Sequence, residues 1–294
     1  MLRIWLVVTL SLFALPTPAL ANLNVVATLP WIGSLVMDLG KDKVKVTTLV
    51  KASQDPHYVE AKPSLIVEAR RADILLFNGL DLEVGYLPIL IESSRNPKIQ
   101  PGTPGHFDCS QFVNPIERPT QVDRSMGDVH PMGNPHYHFS PKNILKVAEG
   151  IAGGLARIDP VNKDIYRANL NSFVEKFQEK QKQWNGRNLR GKRFLPYHKF
   201  FEYLAVEFGF EIIEYIESKP GIPPSAGHVE KLIELMKKTK PDAILTTSYY
   251  GTKEVSFLSQ NTGIKYRVVP HDVGTTEKCR DWFSLIDQAL ITLE

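Results

Sequence analysis

The sequence has little cysteine, little net charge and no hydrophobic run long enough to cross a membrane. Only two of the 294 residues are cysteines, Cys109 and Cys279. Sequence alone leaves open whether they form a disulfide or remain buried thiols. The net charge of +3 is too small to favour nucleic acid or an anionic membrane surface as a partner. The composition is 43% hydrophobic and 23% charged, without repeats or low-complexity tracts. It is that of a globular protein, and the length allows two lobes.

The first 21 residues have the pattern of a signal peptide. Arg3 supplies the positive charge, Ile4–Leu15 is the apolar run, and Ala19-Leu20-Ala21 is a small-x-small cleavage site. The apolar run is shorter than the ~20 residues that a membrane-spanning helix needs. No cysteine lies at the cleavage point, so the pattern of a bacterial lipoprotein anchor is missing. We expect a soluble exported protein, most simply periplasmic, cleaved near Ala21.

Beyond residue 21, short apolar strands alternate with helical segments in both halves of the chain. This alternation predicts βαβ units and a mainly parallel sheet in each half. A helix from Asp159 to about Trp184 would be roughly 35–40 Å long and would join the halves rigidly. We therefore predict an α/β protein with an N-terminal lobe (22–158), a connecting helix (159–186) and a C-terminal lobe (187–294). The predicted strands are Asn24–Leu29, Val44–Val50, Asp73–Asn78, Arg193–Pro196, Phe210–Ile216, Asp242–Thr247 and Tyr266–Pro270.

Several finer features follow from local residue types. Ser140 followed by Pro141 predicts a helix start, and Ser64 is expected to cap an earlier helix. The helix after Ser140 is expected to be broken near Gly153-Gly154. Residues 96–126 are interpreted as an irregular connection, and His198–Phe208 as an amphipathic helix.

Histidines lie at loops and helix starts, mostly just after predicted strands. His57 follows the second strand, His198 follows Arg193–Pro196, and the pair His271-Asp272 follows the last strand. His136 lies in a stretch rich in glycine and proline, Gly127–Pro141. Ligands of parallel sheets bind at the carboxyl ends of strands, and neutral imidazole is a common zinc ligand. One such histidine would ordinarily be a hydrogen-bonded structural residue, but four together favour a metal site between the lobes.

Four segments carry a resemblance to a known family. They are Asp55–Ser64 (DPHYVEAKPS), Asn134–His138 (NPHYH), Tyr197–Gly209 and Pro220–Ser225 (PGIPPS). With them, the chain resembles the substrate-binding proteins of metal-ion ABC transporters, the zinc/manganese group that includes the TroA-like proteins. The resemblance implies a two-lobed fold with the metal in the cleft, and no enzymatic activity. It also implies delivery of the ion to a membrane permease with its ATPase, by a monomer that binds no nucleic acid.

The same resemblance implies a set of metal ligands. They are His57, His136 and His198, with Asp272 as the fourth ligand and His271 as the alternative. The ambiguity arises because the family's D-x-L-G segment is represented here by HDVG, at residues 271–274. Three imidazoles and at most one carboxylate suit tetrahedral Zn²⁺, with Mn²⁺ or another divalent transition metal as the alternative.

Other functions and roles remain open at this stage. A zinc hydrolase would need an open coordination position and a general base, and the chain has no HExxH motif. A periplasmic metallochaperone or an adhesin could use the same fold. His130 and His138 could form a small acquisition loop, or could be hydrogen-bonding partners that orient His136.

Overall fold

The computed structural model describes residues 22–119, 121, 127 and 130–294. The predicted signal peptide, and part of the stretch that carries His130, lie outside the described residues. Within those residues, no helix combines the length and the apolar character needed to span a bilayer.

The first lobe is built on a four-stranded parallel sheet. Its strand order is β2 (Val44–Thr48), β1 (Leu23–Ala27), β3 (Ile74–Phe77) and β4 (His106–Asp108). The central strand β1 is buried because β2 and β3 pair on either side of it and helices cover the faces, as parallel sheets require. In chain order the elements are β1 (Leu23–Ala27), α1 (Pro30–Gly40), β2 (Val44–Thr48), α2 (Pro63–Arg71), β3 (Ile74–Phe77), α3 (Leu87–Ser94) and β4 (His106–Asp108).

Two consecutive helices connect the lobes. α4 (Pro141–Ile158) starts as predicted, with the Ser140 side chain accepting a hydrogen bond from the Asn143 N–H and Pro141 in the first turn. A 3₁₀ turn at Pro160–Asn162 leads into α5 (Lys163–Asn185). The predicted long connecting helix is therefore present as α5. The exact lobe boundaries stay a prediction.

The second lobe repeats the design of the first. Its four strands are again parallel, in the order β6 (Glu211–Ile212), β5 (Arg193–Pro196), β7 (Ala243–Thr246) and β8 (Tyr266–Val268), which is the same order as in the first sheet. The prediction of two α/β lobes with parallel sheets is confirmed. The elements are β5 (Arg193–Pro196), α6 (Glu202–Phe208), β6 (Glu211–Ile212), α7 (Ala226–Thr239), β7 (Ala243–Thr246), α8 (Lys253–Thr262), β8 (Tyr266–Val268) and α9 (Trp282–Leu293).

One apolar core extends through both lobes, and the fully buried Trp282 of α9 is part of it. The Trp282 ring stacks on Phe177 of α5 with ring centroids 6.3 Å apart. Its Nε1 donates to the His138 carbonyl at 2.8 Å, and its backbone N–H donates to Ser34 Oγ at 3.1 Å. The C-terminal helix thus returns to contact the first lobe, which holds the two lobes in register.

Three local predictions are wrong. The helix α4 continues through Gly153-Gly154 without a break. Gly154 is explained by packing, since a Cβ at this position would lie 2.6 Å from the Phe107 ring. Ser64 does not cap α2, which begins one residue earlier, at Pro63. The helix expected from His198 begins only at Glu202.

The segment 96–126 belongs to the first lobe and contains a strand. The strand β4 lies within residues 96–126, which were expected to be irregular throughout. Cys109 and Cys279 are both buried free thiols.

Candidate metal centre

Three histidines from separate segments converge in the cleft. His57, His136 and His198 each present one ring nitrogen, and these nitrogens lie within 4.8 Å of one another. The ring centroids are 5.5 Å apart for His136 and His198, 5.6 Å for His57 and His136, and 5.7 Å for His57 and His198. Three imidazoles that face one point are an arrangement able to hold a transition-metal ion.

His57 is positioned by Asp55. After β2, the chain forms a 3₁₀ turn at Pro56–Tyr58, and Asp55 Oδ1 accepts the backbone N–H of His57 at 3.0 Å. The same oxygen lies 2.7 Å from His57 Nδ1. Burial opposes ionisation of Asp55, yet its hydrogen bonds with His57 hold the pKa of this carboxyl below its usual value. The Nδ1 proton therefore points at the carboxylate and leaves Nε2 as the free lone pair, which is the common arrangement of a metal-binding histidine.

His198 has an equivalent partner that the sequence reasoning missed. His198 lies in the bend directly after β5, and its Nδ1 is 2.8 Å from Glu217 Oε2. Both side chains are buried. Glu217 also accepts the backbone N–H of Gly221 at 3.2 Å. The position of Glu217 directly after the predicted strand Phe210–Ile216 is the signal that could have pointed to it.

His136 is fixed by Asn134 and by Phe200. Asn134 Oδ1 accepts the His136 N–H at 2.9 Å, and the His136 ring packs on Phe200 with centroids 4.2 Å apart. Burial, with the other histidines adding to it, lowers the pKa of His136 well below its usual value. The ring is therefore neutral, and its buried Nε2 has no hydrogen-bond partner. An unpaired buried nitrogen is costly, so this atom is well placed to accept an ion.

The Asn134 amide group faces carboxylates of both lobes. Its Nδ2 donates to Glu117 Oε2 at 3.0 Å and to Glu202 Oε2 at 3.2 Å. An aspartate here would place a third carboxylate against these two, whereas the amide supplies the donor that they need.

The two candidates for the fourth ligand lie beside the cluster and not within it. Asp272 is buried, its Oδ1 accepts the Val273 N–H at 2.7 Å, and its carboxyl also has a hydrogen bond with the Trp31 backbone. Burial raises the pKa of Asp272 to about 8. The His271 ring packs edge-on against Tyr249, with centroids 4.5 Å apart. Both residues line a cavity of about 20 Å³ that His136 also borders, which is room for about one water molecule.

The remaining histidines of the Gly127–Pro141 stretch have different surroundings. His138 Nε2 is 2.9 Å from the His271 carbonyl, and burial lowers the pKa of His138 to about 3. This ring therefore links the two lobes. His130 lies nearer the cluster, with its Nε2 3.2 Å from His57 Nε2. The pKa of His130 is lowered to about 3, mainly by burial and secondarily by the neighbouring His57.

A two-lobed α/β protein with a histidine cluster in the cleft defines a metal-binding receptor. The family model described as zinc-uptake complex component A, periplasmic, matches residues 25–294. The chain therefore belongs to this family, as the resemblance implied. It is the substrate-binding component of a metal ABC transporter, and it captures a divalent metal ion for import.

Curated relatives carry names of the same kind. The metal ABC transporter substrate-binding lipoprotein ScbA of Streptococcus cristatus is 26% identical over 254 residues, covering 83% of this chain and 78% of that protein. The manganese-named PsaA of Streptococcus anginosus is also 26% identical, with 83% and 78% covered. The iron-named lipoprotein MtsA of Streptococcus pyogenes serotype M1 is 25% identical, with 90% and 84% covered. Relatives that are about equally similar to this chain in sequence are thus named for different metals.

Solved structures share the fold. A crystal structure of ZnuA superposes with a TM-score of 0.76 at 24% identity, covering 93% of this chain and 98% of that chain. The cadmium-bound periplasmic metal-binding protein of Candidatus Liberibacter asiaticus gives a TM-score of 0.74 at 24% identity, with 92% and 98% covered. The two-lobed architecture is therefore that of known periplasmic metal-binding proteins.

Proposed function

We propose that this chain captures one Zn²⁺ ion in the cleft through His57, His136 and His198. The observation that carries the proposal is the convergence of the three ring nitrogens within 4.8 Å. Two of the rings have a carboxylate on Nδ1, and the third has an unpartnered buried Nε2. This is a preformed set of imidazole nitrogen donors, suited to hold a cation.

The donor type favours zinc over manganese. Imidazole suits zinc and similar transition metals, whereas carboxylate and carbonyl oxygens suit Mn²⁺. Mn²⁺ or another divalent transition metal stays the alternative, since relatives are named for manganese and iron. Asp272 as the fourth ligand, with His271 as the alternative, also stays a prediction.

The chain is proposed to work outside the cytoplasm as a soluble periplasmic monomer, which passes its ion to a permease driven by an ATPase. It is proposed not to be an enzyme. Hydrolysis at zinc requires a general base that is free to take a proton from water. The carboxylates that contact the histidines, Asp55 and Glu217, are each already hydrogen-bonded to an imidazole, which supports binding over catalysis.

Metal titration of the purified chain tests this function. After chelator treatment, we expect one equivalent of Zn²⁺ per chain, held more tightly than Mn²⁺ in direct competition. His57→Ala and His136→Ala should each weaken zinc binding at least about 10- to 100-fold, because each removes a donor. His228→Ala is the matched control, since the His228 ring contacts the Tyr215 carbonyl at 3.0 Å, away from the cluster. A stoichiometry of zero, or equal losses in all three variants, would contradict the proposal.

A further inference from the structure

A fourth imidazole approaches the cluster from the Gly127–Pro141 stretch. His130 Nε2 lies 3.2 Å from His57 Nε2, with ring centroids 5.3 Å apart and an interplanar angle of 40°. The His130 carbonyl accepts the Gly133 N–H at 3.1 Å, so the residue sits in a tight turn. We propose that His130 is the fourth metal ligand, so that four imidazoles hold the ion. This assignment rests on the proposed function.

The separation of the two nitrogens fits a shared ion. Zinc–nitrogen bonds of about 2.0–2.1 Å in a tetrahedron place neighbouring nitrogens about 3.3–3.4 Å apart. Because Asp55 faces His57 Nδ1, His57 Nε2 is a lone pair directed at His130. The His130 ring also has a hydrogen bond with the Leu80 backbone. As ligands of one ion, both Nε2 atoms would act as electron-pair donors.

The position of His130 in the cleft supports the same assignment. His130 lines one cavity of about 630 Å³ together with His136 and His198, so its ring faces the side from which the cluster is open. It lies outside the set whose nitrogens are all within 4.8 Å. Binding as a ligand therefore requires its side chain to turn toward the other rings.

Asp272 would need a larger change. Its carboxyl is held by the backbone N–H groups of Val273 and Trp31, beside the cavity of about 20 Å³ that His136 also borders. Turning it toward the ion would leave those two buried donors unpaired, which is unfavourable. His130 has a hydrogen bond with the Leu80 backbone, but its Nε2 already lies 3.2 Å from Nε2 of the ligand His57.

A site made of four imidazoles would favour zinc over manganese. Four neutral imidazoles provide no anionic oxygen, and Mn²⁺ prefers oxygen ligands. His130 would then be a residue that sets selectivity for zinc over manganese. His130→Asp, which puts a carboxylate in the same place, should raise the affinity for Mn²⁺ relative to Zn²⁺.

Two measurements test the assignment. X-ray absorption spectroscopy of the zinc-loaded chain counts the coordinated imidazoles, and competition with a chelator gives the zinc affinity. We expect four imidazoles in the wild type and three in His130→Ala, with an affinity loss of about 10-fold or more. Asp272→Asn is the competing arm, and its loss should be smaller. His228→Ala serves as the control for unspecific damage.

The assignment is overturned if the wild type shows three imidazoles and His130→Ala binds zinc as tightly, or if Asp272→Asn has the larger effect. Should zinc binding depend on His57 but not on His130, the proposed function stands and only the fourth ligand is wrong. A wild type that binds no zinc would overturn both.

Discussion

Glu217 should control zinc affinity although it does not reach the ion. Its Oε2 is 2.8 Å from His198 Nδ1, and the side chain is 6% exposed. Partners of this kind typically contribute 10- to 100-fold to metal affinity, which is about 1.4–2.8 kcal/mol. Because the pair is buried, we expect Glu217→Ala near the upper end of that range. Glu217→Gln keeps an acceptor oxygen without the charge, so its loss should lie near the lower end.

The assay is competition for Zn²⁺ against a chromophoric chelator, with thermal unfolding of the metal-free variants to separate lost affinity from lost stability. Glu214→Gln is the matched control, three positions earlier on an exposed side chain whose carboxylate accepts the Tyr215 N–H. Wild-type affinity in Glu217→Ala, in a variant that remains folded, would refute the argument that this carboxylate orients His198.

Three further predictions concern stability of the metal-free chain. Gly154→Ala should lower the free energy of unfolding by about 1–2 kcal/mol, because the new Cβ would meet the Phe107 ring. Gly153→Ala has open space around it and should leave this free energy unchanged or raise it by up to about 1 kcal/mol. Chemical denaturation measures both. Ser140→Ala should cost about 1 kcal/mol through loss of the α4 cap, seen as a lower denaturation midpoint without a change in slope. Burial raises the pKa of Asp272 from 3.8 to about 8, so the folded state holds a proton that the unfolded state releases in this window. As pH rises from 5 to 7, the free energy of unfolding of the wild type should therefore fall by up to about 1.4 kcal/mol per pH unit relative to that of Asp272→Asn. If the unfolding free energies of the two proteins change in parallel with pH, this prediction is wrong.

Much of the fold could be predicted from the sequence because parallel sheets require a characteristic local pattern of residues. Their strands are covered on both faces, so they appear as short apolar runs separated by helices. The failures have tertiary causes. Gly154 suggests a helix break until the packing of Phe107 against it is known. The three-residue strand β4 is defined by pairing, with His106 opposite Leu75 of β3, and no local pattern distinguishes it from a loop.

The sequence by itself determined which imidazoles are candidates, because His57 and His198 lie in the segments that follow strands and His136 lies among glycine and proline. Tertiary structure decided what surrounds them. Glu217 meets His198 from 19 residues away, and His130 meets His57 across 73 residues. Each of these two contacts joins distant loops of one lobe, whereas the contacts of His198 with His57 and His136 join the two lobes. Both kinds of contact depend on the packing of the two cores, and no single segment encodes them.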